Sequence, residues 1–253
     1  LLAQCRLPDG PNYRRADFLA GLAAAGFTVV DRVARPGPGD VLMIWNRSPR
    51  DELEAQRFAS GGAAVLVAEN GLFGKQWRGE KWFTLTRGRH AGAGRWPHPG
   101  ASRWQAWGVD LLPWRTTGTE VVVLEQRGIG EPGVASPHGW AQRVAAAIGG
   151  RVRLHPGASQ PDVPLADDLR CARCVATWNS SAALQALVLG VPVFFACSTW
   201  IGAAAGRHLD GWPGEPRRDD GARLAVFERL AWAMWTADEV RSGAALRHVL
   251  TET

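Results

Sequence analysis

The side chains best placed to do chemistry stand in one run, Val175-Ala-Thr177-Trp178-Asn179-Ser180-Ser181-Ala-Ala-Leu-Gln185. An apolar stretch ends at Thr177, and a helical pattern with small polar side chains begins at Asn179. The first turn of a helix carries N–H groups that no carbonyl of the helix can satisfy, and the helix dipole adds positive character there. Such a corner suits an anion, above all a phosphate. The same residues also suit plain helix capping. Two further segments offer matching chemistry. In Gln126-Arg127-Gly128-Ile129-Gly130 the glycines let the backbone approach a ligand closely, and the Arg127 guanidinium forms a fork for phosphate oxygens, though a plain loop has the same composition. His155, in Arg153-Leu-His155-Pro156-Gly157, closes another apolar run.

These segments need a scaffold, and the pattern of apolar runs supplies one. The sequence predicts a helix over Tyr13–Ala25, a strand over Phe27–Val33 and a strand over Val41–Trp45. A helix capped by Ser48, with Pro49 at its first position, runs to about Ser60. Strands follow at Ala63–Ala68 and Trp82–Thr86. Val109–Gly118 shows no periodicity and reads as a linker. A second alternating set begins with the strand Glu120–Leu124 and the helix Pro137–Ile148. It continues with the strand Arg151–His155, the helix Leu165–Cys171 and the strand Cys174–Thr177. A helix over Asn179–Leu189 and a strand over Pro192–Ala196 complete it. Helices over Arg223–Trp235 and Ala237–Ser242 end the chain.

Continuous apolar strands alternating with helices argue for parallel sheets covered on both faces. The expected fold is α/β, with two Rossmann-like domains (1–112 and 113–222) facing across a cleft, and C-terminal helices (223–253) packing across them. In open parallel sheets, ligands bind outside the carboxyl ends of the strands, where the polar clusters fall.

The 253 residues carry 29 basic and 24 acidic groups, a net charge of +5, and 27 of the basic groups are arginine. A GC-rich genome accounts for such a bias, as does a polyanionic partner. The stretch Lys75–Arg103 concentrates it, with seven basic residues and a single acid, Glu80. Lys75, Arg78, Lys81, Arg87, Arg89 and Arg95 interleave there with Trp96 and other tryptophans. Cations that neutralise phosphates beside aromatic faces that stack on bases suit a nucleic-acid groove, and tryptophans packed under loops give the same pattern. A hydrophobic fraction of 46% rules out a disordered chain. No apolar run reaches the ~20 residues of a membrane span, and no charged segment leads into a signal-like run. Four cysteines are too few for a disulfide scaffold, which points to a reducing cytoplasm. Cys171 and Cys174 lack a second ligand pair, so packing is expected of them. No D-x-D stands between apolar strands, and no required metal is expected; Asp167-Asp168 and Asp219-Asp220 are adjacent pairs that would diverge on a helix.

The run from Val175 to Gln185, with its tail Gly190-x-Pro192-Val193, resembles the donor-binding helix of GT-B glycosyltransferases. The resemblance implies a nucleotide-diphosphate sugar donor, a UDP-sugar foremost, held by Arg127, Gly128, Gly130, His155, Trp178, Asn179, Ser180, Ser181 and Gln185. Gln185 stands where that family often has an acid for the ribose, and Arg153–Gly157 is similar to its strand-end HP element. The longer string from Trp45-Asn46-Arg47 through Ala68-Glu69-Asn70-Gly71 to Trp200-Ile-Gly202 resembles phage proteins of glycosyltransferase type. That implies a hydroxymethylated pyrimidine in DNA as acceptor, in the host cytoplasm. A cell-surface glycan acceptor, a nucleotide-sugar epimerase and a non-catalytic DNA-binding module are the alternatives. An inverting transfer needs a general base at the acceptor hydroxyl. Glu69, which follows a buried strand, is the first candidate, although a capping role suits it too; His90 is the second.

Overall fold

The computed structural model describes residues 1–74, 76–89, 92–130, 132–156 and 163–251. They form two compact units, one of residues 1–99 with 231–253, the other of residues 100–230.

The first unit is built on a sheet of seven strands. β1 (Leu2–Cys5), β2 (Thr28–Val30), β3 (Val41–Trp45) and β4 (Ala64–Asn70) are parallel, in the spatial order β2-β1-β3-β4. β5 (Gln76–Trp77) and β6 (Glu80–Arg87) form a hairpin, and β6 runs antiparallel to β4. α1 (Arg15–Ala24) links β1 to β2, and α2 (Pro49–Ser60) links β3 to β4. Alternation along β4 explains why the sheet is covered on both sides. Leu66 and Ala68 face a core shared with Phe18 and Leu22 of α1, while Val65 and Val67 face Ala55 and Phe58 of α2. Each face removes a full row of aliphatic side chains from water, and α1 and α2 are held chiefly by that burial.

The second unit begins with α3 (Ser102–Trp107). Its sheet is all parallel, in the order β11-β10-β9-β7-β8. The strands are β7 (Glu120–Leu124), β8 (Arg151–Arg153), β9 (Ala172–Thr177), β10 (Val193–Phe195) and β11 (Arg207–His208). α4 (Trp140–Ile148) joins β7 to β8 and packs Trp140, Ala141 and Ala145 on Val121, Val123 and Ala176. α5 (Leu165–Asp168) precedes β9, α6 (Ala182–Val188) joins β9 to β10, and α7 (Asp220–Ala231) ends the unit. The chain then returns to the first unit as β12 (Met234–Thr236), α8 (Ala237–Arg241) and α9 (Ala244–Leu250).

The structure departs from the sequence expectations in several places, beginning with β6, which is antiparallel where a parallel strand was expected. Leu2–Cys5 is a strand although Gln4 interrupts its apolar run; the Gln4 side chain is buried, accepting from Val33 N at 3.0 Å and donating to Glu54 at 2.8 Å. Met234–Thr236, expected to continue a helix to Trp235, is an edge strand antiparallel to β6. The expected linker, 109–118, lies along the second unit: Leu112 N bonds Val188 O, Arg115 N bonds Gly190 O, and the Arg115 guanidinium bonds the carbonyls of Leu169, Arg170 and Ala172. The units therefore divide near residues 99 and 231, where the sequence placed boundaries after 112 and 222.

Candidate functional site

Strand order locates the site. In the second unit β7 leads to β8 on one side and β9 lies on its other side, so connections leave the β7 and β9 carboxyl ends in opposite directions. A crevice opens between strand ends at such a reversal. Gln126 stands just past β7 and Asn179 just past β9, and their amides join across it. Gln126 Nε2 donates to Asn179 Oδ1 at 2.6 Å, and Asn179 N donates to Gln126 Oε1 at 2.9 Å. Asn179 Nδ2 and Trp178 Nε1 both donate to Val134 O, at 2.8 and 2.9 Å, which ties the loop after β7 to the same corner. The paired amides saturate each other in a half-buried place, where a lone donor would cost about 1–3 kcal/mol.

Beside this clasp, between the end of β7 and the start of α4, is a cavity of about 530 Å³. Glu125, Gln126, Arg127 and Gly128 line one side, and His138, Gly139 and Gln142 are on the other. Glu125 braces the walls, accepting from Gln142 Nε2 at 2.7 Å and from His155 N at 3.2 Å. Arg127 is exposed, and its charge reaches His155. Burial and the Arg127 cation together hold the His155 imidazole below its usual pKa, against the opposing pull of Glu125. A largely neutral imidazole and a guanidinium thus stand at neighbouring strand ends. The arrangement can receive an anion at Arg127 and a hydroxyl or ring nitrogen at His155.

Other expected donor residues have more local tasks. Trp178 is half-buried, packed at 5.9 Å on Trp140, with its indole N–H committed to Val134. The expected row of open amides at the start of α6 is largely closed by its own side chains. Ser180 N bonds Thr177 Oγ1 at 2.8 Å, Ala182 N bonds Ser180 Oγ at 3.2 Å, and Ala183 N bonds Ser180 O. Ser181 N alone in that turn has no partner among the described residues, and the Ser181 side chain is exposed. Gln185 is half-buried on α6. Gly128 and Gly130 have φ of +65° and +136°, which glycine adopts readily. A Cβ at Gly128 would lie 3.0 Å from Ser136 O and one at Gly130 3.4 Å from Ala135 N, so their close approach is to the returning loop.

In the first unit, Glu69 is the sixth residue of β4, half-buried, on the α2 side of the sheet with Val65 and Val67. With the Asn46 amide turned to satisfy its neighbours, Asn46 donates to Glu69 Oε1 at 3.3 Å and accepts from Trp45 Nε1 at 3.2 Å. Asn46 and Arg47 both have positive φ, 58° and 41°, conformations that cost L-residues strain and gather at functional corners. Arg47 pairs through two bonds with Glu52, at 2.8 and 2.9 Å, and bonds Gly88 O; its hydrogen bonds hold the Glu52 carboxyl below the usual range. His90 and Lys75 lie outside the described residues.

The described residues of the basic stretch have separate local partners. Arg78 sits at the tip of the β5–β6 turn with its guanidinium 4.7 Å over Trp77. Lys81 donates to Asn70 at 2.7 Å. Arg87 and Arg95 face each other as a backbone bridge, and Arg89 lies near Glu52. Lys81 and Arg87 are separated by six residues of extended strand, about 20 Å at ~3.3 Å per residue. Trp96 is 4% exposed and belongs to the core, so the expected stacking on a base is corrected: no ring face is open to one. Trp82 and Trp104 are buried in the same way.

Sequence reasoning passed over Gln126 as a functional side chain, and Glu125 altogether. A signal for the corner was present in the letters: Trp45-Asn46-Arg47-Ser48 and Trp178-Asn179-Ser180-Ser181 repeat one pattern, each at the carboxyl end of the third strand of its unit. Among the described residues, no helix is long and apolar enough to cross a membrane.

No family model matches the chain, and no curated protein sequence matches it. Solved structures do. The chain is similar to KpsC of Thermosulfurimonas dismutans, a beta Kdo 2,7 transferase, with a TM-score of 0.57 and 14% identity over 97% of this chain and 99% of that one. It is also similar to KpsC of the same organism described as a beta Kdo 2,4 transferase, with a TM-score of 0.51 and 14% identity over 85% and 86% of the two chains. At that identity the likeness shows the fold, which is α/β and GT-B-like.

Proposed function

We propose that the chain is a glycosyltransferase that takes a sugar from a nucleotide-activated donor and places it on a hydroxyl of a glycan. The observation that carries this reading is the Gln126–Asn179 clasp at the strand-order reversal, with Arg127, His155 and a cavity of about 530 Å³ beside it. The similarity to two Kdo transferases supports the same class. In this reading Arg127 and the Ser181 N–H hold the donor phosphate. His155 and Gln185 bond the hydroxyls of the nucleoside. The acceptor oxygen attacks the anomeric carbon and gives its proton to Glu69, with His90 as the second candidate. The bond from the anomeric carbon to the phosphate oxygen breaks, and the nucleotide leaves with the electron pair. The Arg127 cation stabilises the charge that develops on the leaving phosphate.

A UDP-sugar is the donor expected from the sequence, and the assay includes nucleoside monophosphate and diphosphate sugars alike. The other expected acceptor, a hydroxymethylated pyrimidine in DNA, rests on the resemblance to phage proteins and on the basic, tryptophan-rich stretch Lys75–Arg103. The burial of Trp96 and the likeness to two Kdo transferases favour the glycan over it.

Calorimetric titration with a nucleotide-sugar panel and mass spectrometry of acceptors test the proposal together. Arg127→Ala is expected to weaken donor binding by ~10-fold or more without changing the melting temperature, because the side chain is exposed. Glu69→Gln is expected to leave donor affinity intact and lower kcat by ~100-fold or more. Absence of binding by every nucleotide sugar sinks the proposal; full turnover by Glu69→Gln removes the base assignment alone.

A further inference from the structure

Among the described residues that line the cavity of the second unit, Glu125 is the one acid, and it stands two residues before Arg127 on the same wall. Its carboxylate takes one hydrogen bond on each oxygen. Gln142 Nε2 donates to Oε1 at 2.7 Å, and His155 N donates to Oε2 at 3.2 Å. Both donors are neutral amides. One comes from α4 and the other from just past β8, so the carboxylate is fixed from two sides. No cation pairs with it among the described residues, whereas two other half-buried acids of this unit, Glu120 and Asp168, are held by Arg151 and Arg153. An ionised carboxylate has about four acceptor sites, so about two remain for a ligand.

We propose that Glu125 determines specificity at this site: it accepts from the 2′- and 3′-hydroxyls of a ribose and so selects ribonucleotides over 2′-deoxyribonucleotides. The ribose role rests on the glycosyltransferase reading, whose donor is a nucleotide-activated sugar. Vicinal hydroxyls present two donors side by side, and an oriented carboxylate meets both. Bonds to an ionised acceptor are roughly twice as strong as those to a neutral amide, so Glu125 discriminates more sharply than Gln185 can. Arg127 supplies the other end of the subsite. Two residues of chain span at most about 7 Å, and in a nucleotide a furanose ring and its 5′-carbon separate the hydroxyls from the phosphate. The two charges also set the direction of the ligand, because Arg127 attracts the phosphate and Glu125 repels it. A cavity of about 530 Å³ lies in the range of small-ligand sites.

The test is calorimetric titration of the intact protein with ribonucleoside 5′-mono- and diphosphates and the 2′-deoxy form of each. The tightest ribonucleotide is expected to bind ~10-fold or more tightly than its 2′-deoxy form. Glu125→Gln is expected to cut that ratio to ~3-fold or less, while affinity for the 2′-deoxy form stays equal or rises because the charge that repels the phosphate is gone. Retained 2′-deoxy affinity also shows the variant to be folded. Gln142→Ala, at an exposed position, frees the carboxylate on one side and is expected to lower the same ratio ~2-fold or more. Arg127→Ala is expected to weaken both forms alike and leave the ratio unchanged. Equal affinity of the unmodified protein for the two forms, or a ratio that Glu125→Gln leaves unmoved, overturns the ribose role and leaves the transferase reading standing. Absence of binding by every nucleotide refutes that reading and the ribose role with it.

Discussion

The two units share one strand order and fill its critical corner differently. In each, the first strand has the second on one flank and the third on the other, and the fourth lies beyond the third. In the first unit, the end of the third strand carries Trp45, packed edge-on against Tyr13 at 5.0 Å and near Phe83 at 6.3 Å. Arg6, just past the first strand, is committed to Asp51 at 3.0 Å. Aromatic rings and an ion pair thus fill that corner. In the second unit, the same place carries the Gln126–Asn179 amides, with Arg127 and Glu125 lining a cavity and His155 within reach of the Arg127 charge. A shared topology therefore sets where a crevice forms, and the side chains at the strand ends decide whether it is packed shut or kept polar. Polar amides that satisfy one another keep the second corner shaped without apolar filling.

Three changes break or sharpen this contrast. The largest effect is expected from Trp45→Ala, which removes the ring that fills the first corner. It should lower stability by about 3 kcal/mol in denaturant titration and leave nucleotide-sugar affinity unchanged. Equal stability in that variant would mean the first corner is not held by its rings.

Gln126→Leu comes next. It strands Asn179 N and Oδ1, and an expected loss of about 1–3 kcal/mol should be accompanied by weaker donor binding. A variant with Leu at 126 that binds donor normally would show the clasp to be a structural tie alone.

The smallest effect is electrostatic. Burial and Arg127 hold His155 below the usual histidine value, so in nuclear magnetic resonance its imidazole is expected to titrate below about 6.5. The unfolded chain then takes up its proton first. Stability contributed by neutral His155 is complete above the unfolded value and falls as pH drops from there to the folded value. Arg127→Gln removes one of the two lowering influences, and the midpoint should rise. An unmoved midpoint would separate Arg127 from the site.

Much of this was legible in the letters because parallel strands buried on both faces read as unbroken apolar runs. Val41–Trp45 and Glu120–Leu124 fall where the sequence placed them. Strands that break the pattern were missed for a physical reason: β1 hides a hydrogen-bonded glutamine, and β12 joins its sheet by an antiparallel edge contact that local periodicity does not encode. The residues Asn179, Arg127 and His155 could be singled out from their types and strand-end positions, and the structure brings Arg127 near His155. Gln126 escaped notice because its role depends on a partner 53 residues away. Of the stretch Lys75–Arg103, Trp96 was misjudged because the core takes its ring.

The last strand and two helices give the first unit a discontinuous birth. Trp235, Val240, Leu246 and Val249 belong to the same core as Phe18 and Leu66, so that core is incomplete until residues 235–249 have left the ribosome. Residues 100–230 are contiguous and emerge earlier. During synthesis the later-encoded sheet is free to mature first, while the earlier-encoded one waits for its final staves.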